Sequence, residues 1–106
     1  MKKLALIFIA VLFLNMTCED VEIDAPRCVR ELIKQDPQPI EVWRYTFENQ
    51  TVYYLVGDCC DQFNSVYDSN CNLICHPSGG ITGGGDGTCP EFHNTAKDGL
   101  LIWKKK

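Results

Sequence analysis

The chain is short of the features on which most recognisable biochemistry depends. Basic residues are not in excess: 10 Lys and Arg stand against 14 Asp and Glu, for a formal charge of −4, a balance that argues against nucleic acid as a partner. No G-x4-G-K-[ST] run is present, and without its lysine a phosphate-cradling loop has nothing to reach the terminal phosphates. The cysteines form no C-x2-C clamp, being adjacent at Cys59–Cys60 or spaced C-x3-C at Cys71–Cys75, which does not suit a zinc knuckle even with His76 and His93 nearby. The regular Asp/Asn spacing of a calcium loop closed by glutamate is also missing. The charge-free apolar run Leu4–Leu14 is too short to cross a hydrocarbon core of about 30 Å.

What is present begins with that run. Met1-Lys2-Lys3 followed by Leu4 to Leu14 has the charged start and short apolar centre of an export signal. The apolar run gives way to Asn15-Met16-Thr17-Cys18 and then to Glu19-Asp20. This resembles a bacterial lipoprotein cleavage site, in which the cysteine becomes the lipidated first residue, although Leu14 lies one position further from Cys18 than usual and Thr17 replaces a smaller residue. The acidic pair behind Cys18 resembles the surface-export signal of Bacteroidota lipoproteins. The predicted division is a signal peptide over 1–17, an acidic tether over 18–26 and a single cysteine-rich domain over 27–106. Removing residues 1–17 takes away two lysines and no acid, leaving 8 basic and 14 acidic residues and a charge of −6.

Export settles how the cysteines are read, because disulfides persist outside the cytoplasm. With Cys18 acylated, Cys28, Cys59, Cys60, Cys71, Cys75 and Cys89 remain, an even number that supports three disulfides in fifteen connectivities. Five of them fall between Cys59 and Phe92, a stretch dominated by Gly, Asp, Asn and Ser that cannot hold its shape by burying apolar surface. Adjacent cysteines in an extended chain point to opposite sides, so Cys59 and Cys60 are expected to staple two separate neighbours, and Cys28 is expected to be tied to the second half. A domain this small buries only about 60% of its unfolded surface, and each bridge contributes roughly 2–4 kcal/mol.

Periodicity supplies the elements. Cys28–Gln35 places Cys28 and Leu32, with Val29 and Ile33, at helical spacing, and Asp36-Pro37-Gln38-Pro39 stops it. Ile40–Phe47 alternates, with Trp43, Tyr45 and Phe47 on the side expected to face the core, and Thr51–Val56 is its hairpin partner across Glu48-Asn49-Gln50. Ser65–Tyr67 and Asn72–Ile74 form a second hairpin around a turn rich in Asp and Asn. Pro77–Thr88, with six glycines, is expected to be an irregular loop, and Leu100–Trp103 a short buried strand. The predicted fold is therefore α+β: one short N-terminal helix packed on a small antiparallel sheet of about four strands, with a disulfide-stapled Gly-rich loop region.

Chemistry is harder to locate. Ser65, Ser69 or Ser78 with His76 or His93 lacks the strand-to-helix elbow of a nucleophilic serine, and exported cysteines are oxidised, so no catalytic residue, metal ligand or cofactor is assigned. Asp58, Asp61, Asp68 and Asp86 are the carboxylates a calcium-stabilised module would use. Tyr45, Tyr53, Tyr54 and Trp43 are read as core before they are read as a binding face.

Val52-Tyr53-Tyr54, Cys59-Cys60-Asp61-Gln62-Phe63-Asn64, Tyr67-Asp68, Cys71-Asn72, Ile74-Cys75, Pro77-Ser78-Gly79-Gly80-Ile81-Thr82-Gly83, Gly85-Asp86-Gly87 and Cys89-Pro90-Glu91-Phe92 resemble a family of small uncharacterised lipoprotein domains of Bacteroidota. The resemblance spans Cys28–Phe92 and departs at His76, Gly84 and the cleavage site. It implies an envelope lipoprotein domain with no activity or cofactor to transfer. A weaker likeness to Kazal-type protease inhibitors runs over Tyr67–Cys75; the register of that family fails there, and protease inhibition is kept as the alternative role beside the calcium-stabilised module. The expectation is an exported, lipid-anchored envelope protein, periplasmic or surface-exposed, or secreted if Cys18 is not acylated. Its partners are the membrane, through Cys18, and an unidentified protein; its role is non-catalytic binding or structure.

Overall fold

The computed structural model describes residues 23–36, 38–58 and 62–106. A nine-residue helix, α1 (Arg27–Gln35), precedes β1 (Pro39–Phe47), β2 (Gln50–Gly57), β3 (Phe63–Asp68) and β4 (Leu73–Gly79); a single helical turn, α2 (Phe92–Thr95), then leads into β5 (Lys97–Lys104). The strands make one antiparallel sheet in the order β4-β3-β2-β1-β5. The fold is mostly β with one short helix. The expectation of an α+β domain of about four strands is corrected to five strands, because all five segments read as extended join the same sheet.

α1 forms where Glu31, Leu32 and Lys34 favour helix and ends at Asp36, whose extended backbone donates its N–H to Leu32 O at 3.1 Å. Its buried residues, Val29 and Ile33, are one turn apart and pack on Val42, Tyr53 and Leu55. The end of the acidic segment belongs to the fold as well: Ile23 and Ala25 join this core, and Asp24 pairs with Arg44 at 3.1 Å.

The opposite face carries a second core of Phe47, Val52, Tyr54, Val66, Cys75 and Phe92. Two covered faces explain why Val52 to Leu55, in the middle strand, are buried without a break. They also correct the expectation of a single core face on β1, since Val42 is buried under α1 while Phe47 is buried opposite.

Both sheet edges depart from expectation. β4 runs through Pro77-Ser78-Gly79, where a loop was predicted; it is an edge strand, and a proline with no amide donor is tolerated there. The glycine-rich segment that follows folds back over this edge. Asp86 N–H donates to His76 O at 3.2 Å, His76 N–H to Thr88 Oγ1 at 3.1 Å and Gly85 N–H to Gly79 O at 3.0 Å, so groups that would template aggregation are satisfied within the chain. β5 is longer than Leu100–Trp103 and is not buried: Leu100 is 51% and Leu101 38% exposed, because it is the other edge.

Two disulfides pin this arrangement. Cys28–Cys71 joins α1 to the β3–β4 turn across 43 residues, and Cys75–Cys89 joins β4 to the segment that enters α2 across 14. Cys18, Cys59 and Cys60 lie outside the described residues. The expected roles of Cys59 and Cys60 as staples therefore fall outside what is described, while Cys28 is tied to the second half of the chain as expected.

Candidate functional site

An open groove of about 820 Å³ lies between the β1–β2 turn and the segment from Thr88 to α2. Its first rim is a two-residue hairpin turn in which Glu48 and Asn49 both adopt positive φ, 52° and 63°, as a turn that matches strand twist requires. Asn tolerates that conformation, but at Glu48 it costs about 1 kcal/mol, and such strain tends to gather at sites of function. The second rim is held covalently by Cys75–Cys89 and by Phe92, which is fully buried with its ring 5.0 Å from Phe47 and 5.4 Å from Tyr54. Thr46 and Phe47 come from the sheet, Asn94 and Thr95 from α2 and Lys97 from the start of β5. Most polar groups here are amides and hydroxyls, with Glu48, Glu91 and Lys97 as the charges. Sequence reasoning missed this groove, since it unites segments about forty residues apart through a bridge whose connectivity cannot be read from spacing.

On the same face of β1, Trp43 and Tyr45 precede Phe47 at alternate positions. Both are half-buried. Their rings lie 6.2 Å apart and 24° from parallel. The Trp43 indole donates to Glu41 Oε1 at 3.1 Å, and the Tyr45 ring packs edge-on against Phe92 at 5.5 Å. Burial, and then the neighbouring Tyr54, push the Tyr45 phenol above its usual range. Tyr53 and Tyr54 are core residues; burial likewise raises the Tyr53 phenol.

A serine and a histidine do meet. Ser65 Oγ lies 2.9 Å from His76 Nδ1 across β3 and β4, a pairing that only strand register brings about. Phe63 stacks on the imidazole at 5.2 Å. The third group is committed elsewhere: Asp86 accepts from the Thr88 hydroxyl and from its N–H at 3.1 Å, and this, the Thr88 hydroxyl first, holds its carboxyl below the usual range. Ser65 borders a cavity of about 50 Å³ to which His76 does not contribute, room for little more than water. Ser78 instead bonds Tyr54 and Asn64, and Ser69 reaches Thr51 O at 3.5 Å. His93 is exposed and rests against Tyr54 and Phe92.

Of the candidate calcium carboxylates, Asp68 and Asp86 are each occupied within their own turn. Asp68 closes the β3–β4 turn by accepting from the N–H groups of Asn70 and Asn72, both at 2.9 Å, and from the Asn72 amide at 3.2 Å. These bonds, that from the Asn72 N–H foremost, lower its pKa. Asp61 lies outside the described residues, and among those described no three His, Cys, Asp or Glu side chains converge on a point that could hold a metal. The Kazal-like segment Tyr67–Cys75 is the β3–β4 hairpin, pinned to α1 through Cys71.

Searches of the curated proteins and of the solved structures return no match. Among protein families one profile matches residues 30–105, from within α1 to the end of β5, taking in both rims of the groove. The chain belongs to the family described as Domain of unknown function (DUF6970).

Proposed function

We propose that the protein is an exported, non-catalytic binding module of the bacterial cell envelope, in the manner of Bacteroidota lipoproteins, held at the membrane by lipid on Cys18 after removal of residues 1–17. The observation that carries this reading is covalent. Every cysteine among the described residues is in a disulfide, a state that persists in the periplasm or outside the cell and not in the cytosol. The short charged start, apolar run and Cys18 in sequence support the route and the anchor.

The chemistry of the surface supports binding in preference to turnover. A serine nucleophile needs its base, an orienting group and space for substrate on one wall. Around Ser65 and His76 the carboxylate of Asp86 is spent on Thr88, and the adjoining cavity is too small for a substrate. The groove beside Phe47 has the volume of a small-ligand site, and its lining mixes apolar surface from Phe47, Cys89 and Pro90 with amides and hydroxyls.

Cell fractionation and intact mass of the mature protein test this reading. A diacylated or triacylated chain beginning at Cys18 and recovered with membranes is the expected result, with acylation and cleavage at this position both lost in Cys18→Ser. An unprocessed chain in the cytosol with its thiols reduced would contradict it.

A further inference from the structure

We infer that the sheet face opposite α1 carries a binding site for an uncharged oligosaccharide, formed by the ring pair Trp43 and Tyr45 together with the groove that begins at Phe47. The inference rests on the binding-module reading and names its ligand class.

Trp43 and Tyr45 stay half-buried while Val42 and Phe47 on the same strand are buried. The two rings, near-parallel with centres 6.2 Å apart, keep part of their surface open to solvent, and the C–H groups of a pyranose ring are attracted to the negative face of an aromatic ring. The pair is also pre-set. The Trp43 indole is tied to Glu41, and the Tyr45 ring lies against Phe92 and over Gly99, where a side chain would collide with it. Rings held in place in the free protein lose little entropy when a ligand stacks on them. Phe92 touches both Tyr45 and Phe47, so platform and groove share one support.

The groove supplies complementary polarity. Amides and hydroxyls of Asn49, Asn94 and Thr95 each donate and accept, as sugar hydroxyls do, whereas carboxylates only accept and lysine only donates. Glu48 and Glu91 outnumber Lys97, which disfavours a polyanionic glycan. An extended peptide fits less well, because the neighbouring edge strand β5 is irregular opposite Val42–Trp43 and again opposite Arg44–Thr46, which interrupts strand addition.

The test is a two-dimensional amide NMR titration of the purified protein with maltohexaose, cellohexaose and chitohexaose in turn, each to about 10 mM, enough to saturate a site with a Kd near 1 mM. At least one sugar is expected to shift the Trp43 indole N–H and the amides of Asn49, Asn94 and Lys97 together. Trp43→Ala and Asn94→Ala should each weaken binding about tenfold while the remaining spectrum stays dispersed; Asn94 is exposed, so its variant keeps the test open if Trp43→Ala perturbs folding. Silence from all three sugars, or binding indifferent to both substitutions, overturns the inference and leaves the envelope-module reading standing. Hydrolysis of a bound sugar would instead overturn the non-catalytic reading while leaving the site.

Discussion

Replacing Phe92 by alanine should cost this protein much of its stability. The residue sits in a helical turn of four residues, too short to persist unaided, yet its side chain is fully buried and its ring lies 5.0 to 5.5 Å from Phe47, Tyr54 and Tyr45. Truncating such a phenylalanine costs about 3–5 kcal/mol in lost transfer energy and residual cavity. A domain of this size has about 4–12 kcal/mol in total. With a urea m-value of about 1 kcal/mol/M for a small protein, the midpoint should fall by about 3 M or more, whereas Phe92→Leu, which keeps most of the volume, should cost about 1.5 kcal/mol or less. Equilibrium urea unfolding with bridges intact, followed by tryptophan fluorescence and far-UV circular dichroism, reads both. A midpoint within about 0.5 M of the parent for Phe92→Ala would mean that α2 is not seated on the sheet, and the groove would lose its second rim.

Three further outcomes follow from the same geometry. Cys28→Ser with Cys71→Ser opens a closure of 43 residues and should cost about 4 kcal/mol on the chain-entropy relation; thermal unfolding at matched pH measures it, and a loss under about 1 kcal/mol would mean that α1 is held by packing alone. Gly85 has φ of +77°, and a Cβ there would overlap the His76 carbonyl oxygen and come within 2.7 Å of the Pro77 carbonyl carbon, whereas at Gly87, with φ of +84°, a Cβ meets nothing within 4 Å. Gly85→Ala should therefore lose clearly more than the roughly 1–2 kcal/mol expected of Gly87→Ala, with loss of hydrogen-exchange protection along β4; equal losses would refute the packing of the glycine-rich segment on that edge. Asp68 and Asp86 have carboxyls held below their ordinary value of 3.8. Their stabilising bonds are then fully present above that value and are lost as pH falls through the lower folded-state values, so the amide shifts of Asn72 and Thr88 should hold steady down to about pH 4 and move only in stronger acid; movement centred above the ordinary value would contradict the bonding described.

Much of the fold is local and was legible. Alternation from Ile40 to Phe47 and a short turn predict β1 and β2 to within a residue or two of their observed bounds, and Asp68 with Asn72 marks the β3–β4 turn because those side chains close it. A further signal was available in the unbroken run Val52-Tyr53-Tyr54-Leu55, which no strand with one wet face would carry. What sequence spacing does not contain is which segments meet at long range. β5 pairs with β1 across some fifty residues, so its place at the edge, and the exposure of Leu100 and Leu101, follow from topology. Ser65 and His76 meet only because β3 and β4 pair in one register. The groove depends on Cys89 choosing Cys75, one of several partners that spacing leaves open.

That choice is the claim on which the account rests, and non-reducing peptide mapping by mass spectrometry addresses it most directly. Proteolysis of the unreduced, thiol-blocked protein should yield one linked pair containing Cys28 with Cys71 and another containing Cys75 with Cys89. Any of these four cysteines recovered blocked as a free thiol, or linked to a different partner, would contradict both the seating of α1 and the construction of the groove.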